Sequence, residues 1–433
     1  MNNILYLPTR YFPAISGAEF YFQRMAEILT SVYNYSIEVF TSNAVDFKAL
    51  RDPHGRKIQP ENKFFNLVNS LKIQRFPVNY DIGEKEILQK LKKIESFNTL
   101  NLNDDCVKKL IKNGPYLEEL IEKLISEKNQ NFDLVHTTFF PYFNLIISLL
   151  IGKLMNIPTV CTPFFHFSNP RYSDLILNEI LMKFDFLIAC THLEKEALIE
   201  KCKIQEDKII VIPMGVDYHK FKRTNENKLE TNYFKENFLH KKEKKYKIVL
   251  FCGYKNYEKG AISILKSIPF ILEKLKNIYF VFIGPATKAY NRELSKIQKH
   301  KNSRIINFSP DNLTGYYDRK KLAAFKEADI YLMPSRSDAF GIAFLEAWAA
   351  GIPVIGAKIG ATPEVIRDNV DGLLVEFDNP LDIAQNVIKL IKHKKFRKKL
   401  GLAGQIRVSQ NYTWDIIAEK THKAYQNIIH KCS

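Results

Sequence analysis

Short apolar runs and amphipathic segments of helical period alternate along most of the chain. Runs at residues 4–7, 37–41, 184–190, 247–252, 279–283, 304–308, 330–333 and 354–356 have the length of strands. Between them, apolar residues recur with helical spacing, as at Phe20, Met25, Ile28 and Leu29. Further helices are expected from Leu193, over 320–327, from about Gly341, from Pro363, and twice after Asp382 before a last one at Tyr412-Thr413-Trp414. Residues 134–152 carry no Lys, Arg, Asp or Glu over nearly the length of a membrane span. Pro141 and the polar His136, Thr137, Thr138 and Asn144 argue instead for a strand, a turn and a helix over 142–155, with another strand at 157–161. Strands alternating with helices are the pattern of parallel α/β sheets. Residues 45–130 resist this reading and are expected to hold helices and an irregular insertion.

The stretch 335–376 orders the chemistry. A strand ends at Pro334, a loop of small and polar residues delivers Asp338, and a helix carrying Glu346 starts near Gly341. Ligands of such sheets sit beyond the carboxyl ends of the strands, where helix N-termini offer N–H groups to anions. Two carboxylates accept hydrogen bonds from hydroxyls, and the Phe340-Gly341-Ile342 backbone suits phosphate. A nucleotide sugar combines ribose, diphosphate and sugar. On spacing alone, a capping Asp338 and a solvated Glu346 explain the same residues. Gly253-Tyr254-Lys255 through Lys259-Gly260 follows a strand as a phosphate cradle would, with lysine as a point charge. Gly17, between the first strand and helix, lets backbone approach an anion or simply makes a turn. His136 and His166 stand at apparent strand ends, as structural residues or as catalysts.

Asp338, seven residues, Glu346, then Gly351-Ile352-Pro353-Val354, Gly360, Pro363-Glu364 and Gly372 closely resembles, without a gap, the signature of the family 4 retaining glycosyltransferases. That family has the GT-B fold, two Rossmann-like domains with parallel sheets facing a cleft. The resemblance implies that Glu346 accepts from the donor ribose and that Asp338, where the family has Glu, meets the donor sugar. It implies a base lodged near Gly284 and Phe308, and a diphosphate met by Lys259, with Lys255 beside Tyr254 where the family has Arg. Ser16-Gly17-Ala18-Glu19 resembles the family's Gly-Gly-x-Glu segment. The family's His-x-His reads His136-Thr137-Thr138, so His136 and His166 are both catalytic candidates. The implied division is an acceptor-side domain over 1–213, a linker over 214–246, a donor domain over 247–411, and a helix over 412–433 that crosses back. Lys208–Asp217 resembles the family's domain-crossing segment.

Charge sharpens this picture. Residues 1–215 balance 25 Lys and Arg against 25 Asp and Glu, whereas 216–433 hold 39 against 22, so the second half carries the whole excess of +17. A half that binds a nucleotide diphosphate is expected to lean positive, although 241–247 and 392–399 contain much of the excess and read equally as solvated faces. Six cysteines without a CxxC pair fit reduced thiols and a cytoplasmic location, and the first residues show no signal-peptide pattern.

The expectation is transfer of a sugar, with retention, from a UDP- or GDP-sugar to a hydroxyl of a glycan or lipid-linked glycan. Lysines and a helix N-terminus stand where a metal would, and neither a metal, a cofactor nor a nucleic-acid partner is expected. A peripheral contact at the inner membrane face is a further expectation, electrostatic through 392–399 or apolar through Phe139, Phe140 and Tyr142. The rival readings are a nucleotide-sugar epimerase or hydrolase on the same scaffold, and a non-catalytic nucleotide-sugar or polyanion binder.

Overall fold

The computed structural model describes residues 2–14, 16–59, 61–126, 131–223, 232–298 and 304–432. The chain divides into two compact units, Met1–Pro213 with Trp414–Ser433, and Met214–Thr413.

The first unit is built on eight strands: β1 (Asn3–Leu7), β2 (Ser36–Ser42), β3 (Leu67–Val68), β4 (Leu71–Phe76), β5 (Leu134–Thr138), β6 (Thr159–Thr162), β7 (Phe186–Ala189) and β8 (Ile209–Val211). Their order is β3-β4-β2-β1-β5-β6-β7-β8, and every pairing is parallel except β3 with β4. Helix Gly17–Tyr33 connects β1 to β2 and buries Phe20, Met25, Ile28 and Leu29, as their spacing requires. The charge-free stretch resolves as β5 and helix Asn144–Met155, whose residues from Asn144 to Gly152 are all buried. A helix apolar on every side belongs in a core, and no described helix is long and apolar enough to cross a membrane.

Residues 45–130 contain more order than their pattern suggested. β4 lies parallel to β2, and helices Glu84–Lys92, Asp104–Asn113 and Glu118–Ser126 bury Leu88, Leu91, Val107, Leu110, Leu120 and Leu124 in the core shared with β5 and helix Asn144–Met155. Helix Trp414–Cys432 also belongs to this unit, with the Trp414 ring against Phe20 and Tyr21 and Tyr425 buried beside Tyr6.

The second unit holds six parallel strands, β9 (Lys247–Cys252), β10 (Ile278–Ile283), β11 (Ile305–Phe308), β12 (Ile330–Met333), β13 (Val354–Ala357) and β14 (Gly372–Val375), in the order β11-β10-β9-β12-β13-β14. All six residues of β10 are buried, the signature of a parallel strand covered on both faces. The order reverses at β9 and β12, the switch point at which a doubly wound sheet opens a crevice for ligand. Caps set the helix starts: the side chain of Asp318 accepts from the Lys320 N–H, and that of Asn379 from the Asp382 N–H.

Residues 214–246, expected as a linker, are packed into this unit wherever they are described; 224–231 lie outside the described residues. Phe221 and Phe234 are buried, and Glu327 accepts from the Phe234 and Lys235 N–H groups, capping helix Tyr233–Phe238 from outside. Few apolar residues mark this segment, but Met214, Val216 and Leu239 are buried along with the two rings and anchor it.

Candidate functional site

The carboxyl ends of β9 and β12 bring the central candidates together. β12 stops at Met333, and Asp338 arrives on the loop before helix Ile342–Ala349. Its Oδ1 accepts from the Nζ of Lys259, which also donates to the Ser337 carbonyl at 2.7 Å. The Lys259 N–H in turn donates to Asn256 Oδ1 at 2.8 Å, fixing the loop after β9. Gly260 permits this approach. Its φ is +73°, and a Cβ there would lie 2.3 Å from the Pro334 carbonyl oxygen. The Asp338 side chain is only 10% exposed, and its Oδ2 is buried with no hydrogen-bond partner. A buried acceptor left open costs on the order of 1–3 kcal/mol, which a ligand hydroxyl would recover.

Gly341, at φ +90°, turns the chain into the helix that follows Asp338; the Phe344 N–H donates to its carbonyl at 2.9 Å, while the N–H groups of Ile342 and Ala343 have no carbonyl of the helix before them. Phe340 is buried with its ring against Tyr412, 5.6 Å between centroids. Glu346, one turn further on, is 2% exposed and accepts from Lys321 Nζ at 2.7 Å. Beside this group, Arg336 forms an ion pair with Glu258, and its guanidinium lies 5.6 and 5.2 Å from the centroids of the Tyr257 and Phe377 rings, which pack on each other.

Other sequence candidates are placed differently. Lys255 does not reach out as a phosphate cation. It is fully buried, and its Nζ donates to Asn307 Oδ1 at 2.9 Å and to the Phe308 carbonyl at 2.8 Å, tying the loop after β9 to the end of β11. Burial lowers its pKa to about 8. The Phe308 ring packs against Phe234 and Phe238, and its carbonyl takes both Lys255 and the Gly284 N–H. These groups hold the end of the sheet together. Gly284 has φ +131°, and a Cβ there would meet the Gly253 carbonyl oxygen at 2.1 Å, so it serves close loop packing.

In the first unit, His136 is buried. Its Nε2 pairs with Thr162 Oγ1 at 2.9 Å and its Nδ1 with the Tyr425 hydroxyl, while burial lowers its pKa to about 3. A neutral imidazole with both nitrogens occupied pins β5 to β6 and to helix Trp414–Cys432. His166 follows β6, half-buried, with its ring 5.1 Å from that of Tyr172. Gly17 is exposed at the start of its helix. Glu19 turns inward to Arg10 Nη2 at 2.6 Å and to the Ser16 hydroxyl. Phe139 and Phe164, just past β5 and β6, hold positive φ values of 83° and 47°, a strain that tends to gather at ligand-facing edges. Phe140 and Tyr142 are buried, which removes them as an apolar membrane contact.

Sequence reasoning missed Lys321 and Arg10. Each left a signal. Lys321 falls on the apolar face of helix Arg319–Glu327 with Ala324 and Phe325, and Arg10 follows the otherwise apolar β1 by three residues.

The sequence matches the glycosyl transferases group 1 family over residues 233–407 and glycosyltransferase family 4 over residues 101–220. An uncharacterized glycosyltransferase of Methanocaldococcus jannaschii is 30% identical over 235 residues, 54% of this chain and 57% of that protein. The D-inositol 3-phosphate glycosyltransferase of Corynebacterium jeikeium is 24% identical over 324 residues, 70% of this chain and 74% of that one. The chain thus spans little more than half of the first relative and about three quarters of the second. Among solved structures, Anabaena HepE with UDP and glucose superposes with a TM-score of 0.72 at 13% identity, covering 99% of this chain and 100% of HepE. A Rickettsia africae glycosyltransferase gives 0.69 at 20%, covering 99% and 98%. At such identities the superpositions establish the GT-B fold. The two profile matches, which fall one on each half of the chain, support a family 4 GT-B glycosyltransferase.

Proposed function

We propose that the protein transfers a glycosyl group, with retention, from a nucleotide-diphosphate sugar to an acceptor hydroxyl of a glycan or lipid-linked glycan. One observation carries the reading: the open, buried Oδ2 of Asp338, beside Lys259 and the N-terminus of helix Ile342–Ala349. An acceptor atom, a cation and a helix dipole within one loop cluster suit a sugar hydroxyl joined to a diphosphate. The names of relatives support it, among them the phosphatidyl-myo-inositol mannosyltransferase of Mycobacterium leprae, 28% identical over 185 residues, 42% of this chain and 47% of that protein. So does the UDP-glucose bound in a HepE structure.

On this reading the ribose hydroxyls donate to Glu346 and the sugar to Asp338. As the glycosidic bond breaks, negative charge grows on the departing diphosphate, and Lys259 with the first turn of helix Ile342–Ala349 stabilises it. The acceptor hydroxyl attacks the oxocarbenium-like carbon from the face the diphosphate leaves and gives its proton to an oxygen of the departing diphosphate, which gives retention. The test is a panel of UDP- and GDP-sugars, with and without acceptor glycosides, read by release of nucleotide. Acceptor-dependent release supports the proposal. Release that needs no acceptor would favour an epimerase or hydrolase, and binding without release a non-catalytic protein.

A further inference from the structure

Helix Ile342–Ala349, IAFLEAWA, is apolar except for Glu346, and that carboxylate is buried. Its partner comes from the facing helix. Lys321 is 6% exposed, with its ammonium 3.7 Å from the centroid of the Tyr316 ring and 5.6 and 5.8 Å from those of Phe221 and Phe325. An ammonium enclosed by three rings and one carboxylate is costly to desolvate. Apolar residues of like volume commonly hold such a place as well or better. The pair is therefore poorly explained by stability alone.

Its geometry suits another task. Lys321 donates to Oε1 of Glu346 at 2.7 Å and the Tyr316 hydroxyl also hydrogen-bonds this side chain, which leaves an ionised carboxylate with lone pairs for further donors. We infer that Lys321 is a positioning residue that keeps the Glu346 carboxylate charged and aimed, ready to accept two vicinal hydroxyls such as those of a nucleotide ribose. The inference rests on the donor site proposed above.

The other titratable groups facing Glu346 do not supply this charge. Burial pushes Tyr316 and Tyr331 well above the usual phenol range and the Cys252 thiol up to about 12, so all three are neutral at physiological pH. Asp338 is bound to Lys259, Asp217 to Tyr317, and Lys255 to Asn307 and Phe308. Of the other helices packed on Ile342–Ala349, Lys394–Asn411 brings Arg407, tied to Asp371 and Tyr412. Helix Tyr218–Phe221 brings His219 and Lys220, the latter over the Tyr317 ring.

The test is calorimetric titration with UDP and GDP between pH 6 and 8. It compares the wild type, Lys321→Met, Lys321→Arg and, as site control, Glu346→Ala. Lys321→Met is expected to bind about tenfold more weakly at pH 8 and progressively worse toward pH 6, because a buried carboxylate without a counter-charge is driven to its neutral form. The wild type stays level and Lys321→Arg recovers most of the affinity. Should Lys321→Met not fold, Lys321→Gln, which keeps a donor without the charge, carries the same expectation. A folded Lys321→Met or Lys321→Gln with wild-type affinity and no pH slope overturns the inference while leaving the donor site intact. If the wild type binds neither nucleotide, or Glu346→Ala binds as well as the wild type, the donor-site reading falls and this inference with it.

Discussion

His136 Nδ1 and the Tyr425 hydroxyl are hydrogen-bonded across 289 positions of sequence, joining β5 to the last helix inside the first unit. Because burial lowers the pKa of His136 from 6.5 to about 3, the unfolded chain takes up a proton near pH 6.5 that the folded chain refuses until near pH 3. The sign follows: this contribution to stability is complete above pH 6.5 and is lost as pH falls toward 3, at up to about 1.4 kcal/mol per pH unit. Urea unfolding at stepped pH should show that slope in the wild type and lose it in His136→Gln. Parallel slopes in the two proteins would rule out His136 as the group responsible.

Asp338→Ala should lower turnover by about 10²-fold or more, since the open Oδ2 is the proposed contact to the reacting sugar. Nucleotide affinity, measured separately, should change little. Asp338→Glu, which installs the acid typical of the resembled family, should retain activity. An Asp338→Ala enzyme with full turnover would remove this residue from the reaction.

Glu346→Ala should weaken binding of every ribonucleotide, by about 1–3 kcal/mol, because two hydroxyls lose a shared acceptor. The same variant leaves Lys321 buried without its carboxylate, so its melting temperature should fall as well. Calorimetry and thermal melts measure the two effects independently.

Chelation should leave turnover unchanged, since the proposed partners of the leaving diphosphate are Lys259 and a helix N-terminus. Activity that vanishes in EDTA and returns with magnesium or manganese would require a different account of how that charge is met.

Gly260→Ala should destabilise the second unit by about 1–3 kcal/mol, through both the left-handed backbone and the clash with Pro334. Gly83→Ala is the matched control, because a Cβ at Gly83 would meet nothing within 4 Å. Similar melting temperatures for both variants would contradict the close loop packing seen here.

Four strands of the second sheet were readable because each is a short apolar run closed by a glycine, a proline or a serine, at Gly253, Gly284, Ser309 and Pro334. β9 and β12 run 247–252 and 330–333, as their patterns indicate. β4 escaped notice because Arg75 interrupts the alternation of Leu71, Ile73 and Phe76, and its guanidinium donates to the Phe12 and Phe65 carbonyls, contacts that no local pattern announces. The acid-bearing loop was legible through spacing. The inward turn of Lys255 was not, because its partners Asn307 and Phe308 lie more than fifty positions away. Lysine in a glycine-rich loop suggests a ligand cation, and only the packed structure shows that a carbonyl and an amide already occupy it.

The chain leaves the first unit at Pro213, builds all of the second, and returns at Trp414. In order of synthesis, the residues of helix Trp414–Cys432 that complete the first unit are therefore made after all of the second. Until then Tyr6 and His136 lack Tyr425, and Phe20 and Tyr21 lack Trp414. The unit begun first is thus the one finished last, and free chains truncated before residue 414 should expose its aromatic surface to proteases and chaperones while the second unit is already resistant.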